Sequence, residues 1–376
     1  MSPRDHRNST ESGAPSEECS IHQVSDWLAA GEPIQLVDVR EEYELVEGIL
    51  PGAIHIPLAS IPGSAQEEID PERLTVVYCQ HGIRSLQATR YLRSQGWEKI
   101  TSMSGGFADW LEASLSLESS SETENRAEDW DATRNERYLS QLRLPELGLV
   151  GQQKLLQSRV LIVGVGGLGC PVATYLAAAG VGELTIVDDD SVSLSNLPRQ
   201  VLFKTADIGS SKVSLAASTL REMNPDVKVI EHGERLDEKN ATELISGMNV
   251  VVDTCDNFET RFTVSDAATK LGIPVVHGAV HKFEGLVTVF DPANDAPCLR
   301  CLHPIPPSNE DCGSCAEVGV LGVLPGLVGL YQSLEVLKIL TGIGAPLHGE
   351  LLTIDTLSSD QRRIKLQPLE GCYCRK

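Results

Sequence analysis

The run Cys79-Gln80-His81-Gly82-Ile83-Arg84-Ser85 follows the apolar stretch Val76-Val77-Tyr78 and precedes residues with helical spacing. A sulfur placed between a strand and a helix meets converging backbone amides and the positive end of the helix dipole. Arg84 adds a fixed cation five residues beyond the sulfur. Together these favour a thiolate or a persulfide anion at Cys79. A lone cysteine more often just closes a core strand, but the spacing to Gly82 and Arg84 argues against that here.

A second constellation starts at Gly164-Val165-Gly166-Gly167-Leu168-Gly169. Such glycines allow a tight turn and bring backbone close to phosphate at a helix start. Asp188 lies 19 residues beyond Gly169, at the end of the next apolar run, where a ribose-binding acid belongs. This much also fits an NAD-dependent oxidoreductase, or a domain of that fold that binds nothing. Residues further along the chain narrow the choice. Ser195, Asn196 and Arg199 come just after the acidic run, Lys212 adds a second cation, and Asp253-x-x-Asp256-Asn257 ends a later strand. Two cations near a carboxylate suit a triphosphate and its Mg²⁺.

Six of the ten cysteines crowd towards the C-terminus, as Cys298-x-x-Cys301, Cys312-x-x-Cys315 and Cys372-x-Cys374. Four thiolates make a closed tetrahedral Zn²⁺ site. The residues alone leave two sets open: the first two pairs, or the first and last. Ten cysteines in 376 residues are too few for a disulfide scaffold, and their grouping points to metal or thiol chemistry in a reducing compartment. Cys170 and Cys255 read as core packing. Cys19 has no evident role.

These residues need strand–helix elements to position them. Ile34–Val39, Leu74–Tyr78 and Lys99–Met103 read as strands, and Ile83–Ser94 as a helix with Ile83, Leu86, Tyr91 and Leu92 near one face. Further on, Arg159–Val163, Leu184–Val187, Val250–Asp253, Pro274–His277 and Leu286–Phe290 read as strands, with a helix ending at Ala179. The alternation predicts an α/β chain: a doubly wound, mainly parallel sheet preceded by a smaller α/β domain. The expected division is a disordered tail (1–18), a first domain (19–113), a Ser- and Glu-rich linker (114–133) and a second domain (134–376).

The net charge of −22 argues against nucleic-acid or anionic-membrane partners. About two-thirds of it, −15, falls in residues 1–133. The longest uncharged stretch, Val318–Leu334, is shorter than the roughly 20 apolar residues that span a bilayer. The first 20 residues lack the apolar run of a signal peptide, so a cytoplasmic enzyme is expected.

Residues 19–113 resemble a rhodanese domain, through Leu36–Arg40, Gly48, Pro51–Pro57, the Cys79 loop and Gly105–Trp110. The resemblance implies a catalytic pair, Cys79 carrying persulfide sulfur and Arg84 beside it, with Asp38 and Arg40 shaping the loop by charge pairing. The four residues between Cys79 and Arg84 make a shorter loop than a phosphatase of related fold needs.

Residues 134–376 resemble the MoeB/ThiF family of ubiquitin-activating-type enzymes. The landmarks are Arg137-Tyr138, Leu144–Glu146, Gly164–Gly169, Ser195–Gln200, Asp253–Asn257, Thr260-Arg261, Phe283–Gly285 and Val318–Pro325. This implies ATP-dependent adenylation of the C-terminal glycine of a ubiquitin-like sulfur carrier ending in Gly-Gly. ATP contacts would fall on Gly167, Asp188, Ser195, Asn196, Arg199, Lys212, Asp256 and Asn257, with Asp256 the Mg²⁺-linked catalytic acid. Zn²⁺ would sit on Cys298, Cys301, Cys372 and Cys374. Cys315 would be a catalytic thiol in a mobile segment. An upstream sulfur donor such as a cysteine desulfurase, and a homodimer, are also implied. Ser140 stands where the family carries an arginine that reaches the partner subunit's nucleotide. That departure keeps a non-catalytic carrier-binding scaffold in play.

Overall fold

The computed structural model describes residues 15–115, 130–294, 296–305, 319–372 and 374. They form two compact units that divide between Leu139 and Ser140.

The first unit holds a parallel five-stranded sheet in the order β1-β5-β4-β2-β3. Its strands are β1 (Glu18–Cys19), β2 (Gln35–Asp38), β3 (Ile54–His55), β4 (Thr75–Tyr78) and β5 (Ile100–Met103). Every residue of β2, β4 and β5 is buried, as expected for a parallel sheet covered on both faces. The helix Ile83–Ser94 has the expected bounds but a different inner face. It buries Ser85, Ala88, Thr89 and Leu92, and leaves Ile83 and Tyr91 exposed. Positions 85, 88, 89 and 92 form an i, i+3, i+4, i+7 stripe, and its small residues let the helix approach the sheet closely.

Residues 15–18, expected in the disordered tail, are held against the first sheet. Glu18 belongs to β1, the Glu17 carbonyl accepts from Ser102 N–H (2.9 Å), and Arg93 Nη2 donates to the Pro15 carbonyl (2.7 Å). The open edge of β5 and a basic side chain recruit this polar segment despite its low apolar content. Residues 1–14, and 116–129 of the expected linker, lie outside the described residues.

The second unit holds an eight-stranded sheet in the order β13-β12-β11-β10-β9-β6-β7-β8. Its strands are β6 (Arg159–Val163), β7 (Glu183–Val187), β8 (Lys228–His232), β9 (Val250–Asp253), β10 (Val275–His281), β11 (Glu284–Phe290), β12 (Glu350–Asp355) and β13 (Asp360–Lys365). From β8 to β10 the neighbours run parallel; from β10 to β13 they run antiparallel. The strand order reverses between β6 and β9. In open α/β sheets ligands bind at such a point, outside the strands' carboxyl ends. Val160, Ile162, Leu184, Ile186, Val250 and Val252 supply the core beneath it.

The helix Val323–Thr341 is long and apolar enough, by length and composition alone, to cross a membrane. Here it packs on the sheet, burying Leu324, Val328, Gly329, Gln332 and Val336. Gln332 Nε2 donates to the carbonyls of Asp253 (2.9 Å) and Val276 (3.2 Å).

Candidate functional site

In the first unit, Cys79 is buried at the end of β4. The Ser85 amide, in the first turn of the following helix, donates to Cys79 Sγ at 3.3 Å. A second turn braces the loop from behind: Phe107 N–H donates to the Cys79 carbonyl (2.8 Å) and Ala108 N–H to the Gln80 carbonyl (2.9 Å). That approach requires glycine at 106, where φ is +67° and a Cβ would lie 2.2 Å from the Cys79 carbonyl oxygen.

Arg84, five residues beyond Cys79, is turned onto Glu44 through two bonds of 2.6 and 2.7 Å. Burial alone would push the Glu44 carboxyl up; the Arg84 pair and the Glu41 amide hold it below its usual range. Asp38 and Arg40 form the expected pair, fully buried at 2.7 Å, and Arg40 stacks over the Phe107 ring at 3.7 Å. Glu44 was not singled out in the sequence. Glutamates stand at 41, 42, 44 and 47, and only the fold decides which one meets Arg84.

In the second unit, a cavity of about 910 Å³ opens over the carboxyl ends of β6, β7 and β9. Gly167, Asp188, Arg199, Lys212, Asp256 and Asn257 all line it. The turn after β6 closes tightly on itself, since a Cβ on Gly169 would lie 2.0 Å from the Gly164 carbonyl oxygen. Asp188 accepts from Val165 N–H (2.7 Å) and Asp190 N–H (2.9 Å). Burial holds its carboxyl above the ordinary range, against those two bonds. Lys212 opens the helix Lys212–Met223, is buried, and pairs with the exposed Asp190 at 2.7 Å. Arg199 Nη1 donates to the Ser195 carbonyl at 2.9 Å. Ser195 and Asn196 themselves do not line the cavity; they form the short turn Leu194–Asn196 that carries Arg199.

The Asp256 loop is fixed from below. Asp253 Oδ1 accepts from Cys255 N–H (3.0 Å), and Asp253 Oδ2 meets His277 Nδ1 at 2.6 Å. Arg261 donates twice to the Cys255 carbonyl, at 2.6 and 3.1 Å. Burial drives the fully enclosed His277 imidazole below its usual pKa, against the pull of Asp253. Asp253 is held low by that same contact, against its own burial. Asn257 Oδ1 caps the helix Phe258–Leu271 by accepting from Thr260 N–H at 2.9 Å. Neither Arg235 nor the β12–β13 hairpin residues Thr353 and Arg362, which complete the cavity wall, carried a motif. Cys170 and Cys255 are buried in the core, and burial pushes the Cys170 thiol up to about 12.

Cys298, Cys301, Cys372 and Cys374 meet with all four sulfurs within 4.8 Å of one another. A tetrahedral ion with Zn–S bonds of about 2.3 Å has S···S edges of about 3.8 Å. The separations here are 3.6 Å (298–372), 3.6 Å (301–374) and 4.0 Å (298–301). The donor set therefore fits a closed zinc site, and the one-residue spacing of the last pair does not prevent it. Leu369 N–H donates to Cys301 Sγ (3.3 Å), drawing the terminal segment onto the first pair. Cys312 and Cys315 lie outside the described residues.

The ThiF family profile matches residues 138–375, which is more than half of the chain. The chain belongs to the ThiF family. A rhodanese-like domain matches residues 20–113, so this ThiF-family chain carries a second module. It is 48% identical over 231 residues to "Adenylyltransferase and sulfurtransferase MOCS3-2" of Zea mays, covering 61% of this chain and 48% of that protein. It is 44% identical over 247 residues to "Sulfur carrier protein adenylyltransferase" of Thermus thermophilus, covering 65% of this chain and 91% of that protein. Among solved structures, PaaA superposes with a TM-score of 0.56 at 25% identity, over 70% of this chain and 81% of that one. The chain spans about half the length of the Zea mays relative. ATP use is implied by membership of this adenylyltransferase family.

Proposed function

We propose that the chain uses ATP to adenylate the C-terminal glycine of a ubiquitin-like sulfur carrier ending in Gly-Gly, and then delivers sulfur to that carboxyl. One observation carries this reading: a cavity of about 910 Å³ with Arg199, Lys212 and Asp256 in its wall shares a chain with a cysteine whose sulfur accepts from a backbone amide at a helix start.

In this reading the carrier carboxylate attacks the α-phosphorus of ATP and pyrophosphate leaves. Arg199 and Lys212 stabilise the phosphate charge, and Asp188 holds the ribose. Mg²⁺ would be held by Asp256 and would neutralise charge on the triphosphate. The acyl-adenylate is a strong electrophile because AMP leaves readily. A persulfide on Cys79, or a thiol relay through Cys315, attacks the acyl carbon and displaces AMP. Attack by the persulfide leaves an acyl disulfide between the carrier and Cys79. A second thiol, Cys315 or a small-molecule thiol, then attacks the Cys79 sulfur, forms a disulfide with it and releases the carrier thiocarboxylate. Zn²⁺ on Cys298, Cys301, Cys372 and Cys374 would clamp the terminal segment. We also propose a homodimer, and a cysteine desulfurase as the upstream sulfur source.

ATP–pyrophosphate exchange that depends on an added carrier tests the first half. Exchange that survives Asp256→Ala undiminished would remove that acid from its role. Carrier thiocarboxylation unaffected by Cys79→Ala would remove the sulfur role. NADH binding without ATP binding would favour an oxidoreductase instead, and carrier binding without exchange would favour a scaffold.

A further inference from the structure

Gln200 stands beside Arg199 in the wall of the nucleotide cavity and is only 3% exposed. Its backbone is pinned on both sides. Gln200 N–H donates to the Asn196 carbonyl (3.0 Å), and the Gln200 carbonyl accepts from Phe203 N–H (3.2 Å). The start of the helix Val323–Thr341 presses on the same turn, since a Cβ on Gly322 would lie 2.5 Å from the Pro198 carbonyl oxygen. The two neighbouring side chains then cover the glycine turn. Arg199 lies over Gly167, with Cγ and Cδ each 3.4 Å from where a Cβ would stand. Gln200 Nε2 lies 3.6 Å from the same point on Gly166. Among the described residues, Gln200 Oε1 is the buried side-chain oxygen of the cavity wall that has no hydrogen-bond partner. Buried amide oxygens are normally paired, and leaving one unpaired is costly.

We infer that Gln200 binds the carrier: its Oε1 accepts the backbone N–H of the carrier's last glycine and aims the adjoining carboxylate at the α-phosphorus. This rests on the carrier-adenylation reading. An unpaired oxygen needs a donor, and the phosphate oxygens of a nucleotide are acceptors. Asp188, the ribose acid, accepts from Val165 N–H at 2.7 Å. That bond ties it to the residue before Gly166, so the α-phosphorus, the one nearest the ribose, falls closest to Gly166 and the Gln200 amide above it. For attack, the carrier carboxylate must come within about 3–3.5 Å of that phosphorus. The N–H of the same glycine is two bonds from the carboxyl carbon, which brings it to the Gln200 side chain. Gln200 thereby reads the backbone of the last residue, and a residue without an N–H there is bound poorly.

The test uses two stable mimics of the acyl-adenylate, glycylglycyl sulfamoyladenosine and glycylsarcosyl sulfamoyladenosine. They differ in one N-methyl group, which removes the N–H in question. Calorimetry measures their binding to the full chain. The wild type binds the glycylglycyl compound about tenfold more tightly, the worth of one well-aligned hydrogen bond. In Gln200→Met the two bind within about twofold of each other, the limit for groups that do not interact. Gln200→Glu keeps an acceptor oxygen and keeps the preference. A wild type that binds both alike, a preference that survives Gln200→Met, or one lost in Gln200→Glu overturns the inference. The wild-type comparison stands even if Gln200→Met misfolds. A wild type that binds the glycylglycyl compound no more tightly than sulfamoyladenosine itself overturns the carrier-adenylation reading as well.

Discussion

Replacing His277 by asparagine tests how the Asp256 loop is held. His277 and Asp253 are 1% and 2% exposed, and their contact is 2.6 Å. Burial keeps the folded imidazole neutral to a lower pH than the free side chain. On acidification the unfolded chain therefore takes up this proton first, near pH 6.5. The pair's stabilisation is complete above that pH and is lost as pH falls towards the folded value. Asp253, also held low, acts in the same sense further down: its contribution is present above about pH 3.9 and lost below. One proton's difference changes unfolding free energy by about 1.4 kcal/mol per pH unit. For a unit of this size that sets an upper bound of roughly 3–6 °C in Tm for each pH unit below 6.5 over which the folded imidazole stays neutral. The asparagine amide keeps an N–H near the Nδ1 position but cannot titrate, so the His277→Asn variant should lose this slope. His303, also held low by burial, contributes a slope of the same sign, so the difference between variant and wild type is the measurement. All four tryptophans lie between residues 27 and 130, so their fluorescence reports the first unit. Calorimetry, or hydrogen exchange at Val250–Val252, reports the second. A His277→Asn slope equal to the wild type's would refute the argument. His277→Ala, which leaves Asp253 buried with the Cys255 amide alone, should cost about 3–5 kcal/mol.

Lys212→Met should lower carrier-dependent exchange about 10²–10³-fold, the usual loss when a group that stabilises developing charge is removed. An undiminished rate would show that Lys212 only anchors Asp190. Gly106→Ala should destabilise the first unit by about 1–3 kcal/mol through overpacking against the Cys79 carbonyl, and slow sulfur loading of Cys79. Unchanged loading and Tm would refute the bracing role. Elemental analysis of the purified chain should find roughly one zinc, lost in Cys372→Ser and retained in Cys170→Ser. Zinc retained in Cys372→Ser would place the metal elsewhere.

Elements whose local signal and burial agree were legible in the sequence. The strands Arg159–Val163 and Val250–Asp253 have the predicted bounds because apolar runs flanked by turn residues leave little choice. The sulfur and nucleotide loops were legible because strand-to-helix turns of this kind need glycine at fixed offsets. Strands β10 and β11 were expected in part, at Pro274–His277 and Leu286–Phe290, but their antiparallel continuation into β12 and β13 was not. Its outer strand, Asp360–Lys365, is exposed throughout and carries no apolar pattern, so its pairing comes from the neighbouring strand alone. The inner face of the Ile83 helix was misread because small side chains, not large ones, mark a close helix–sheet contact. Glu44, Asp190 and His277 were missed for a common reason. Each acts on another residue by charge or hydrogen bond across a long stretch of chain, and single-sequence spacing holds no trace of such pairs.

The two loops share one design and differ in what balances their cations. Each places backbone amides at a strand-to-helix turn, so each can hold an anion. At the sulfur loop both guanidiniums are matched inside the fold, Arg40 by a fully buried carboxylate and Arg84 by one only 14% exposed. At the nucleotide cavity, Arg199 donates to a backbone carbonyl, and Lys212 rests on a carboxylate that is 68% exposed. An exposed carboxylate is well solvated when its partner leaves, so such a pair is weak and easily exchanged for a phosphate. A buried one left alone is costly, so its pair persists. The same backbone device thus yields a cradle whose guanidiniums stay committed and a cavity whose Arg199 and Lys212 can exchange their partners for a triphosphate. Carboxylate burial, rather than the number of basic residues, separates the two.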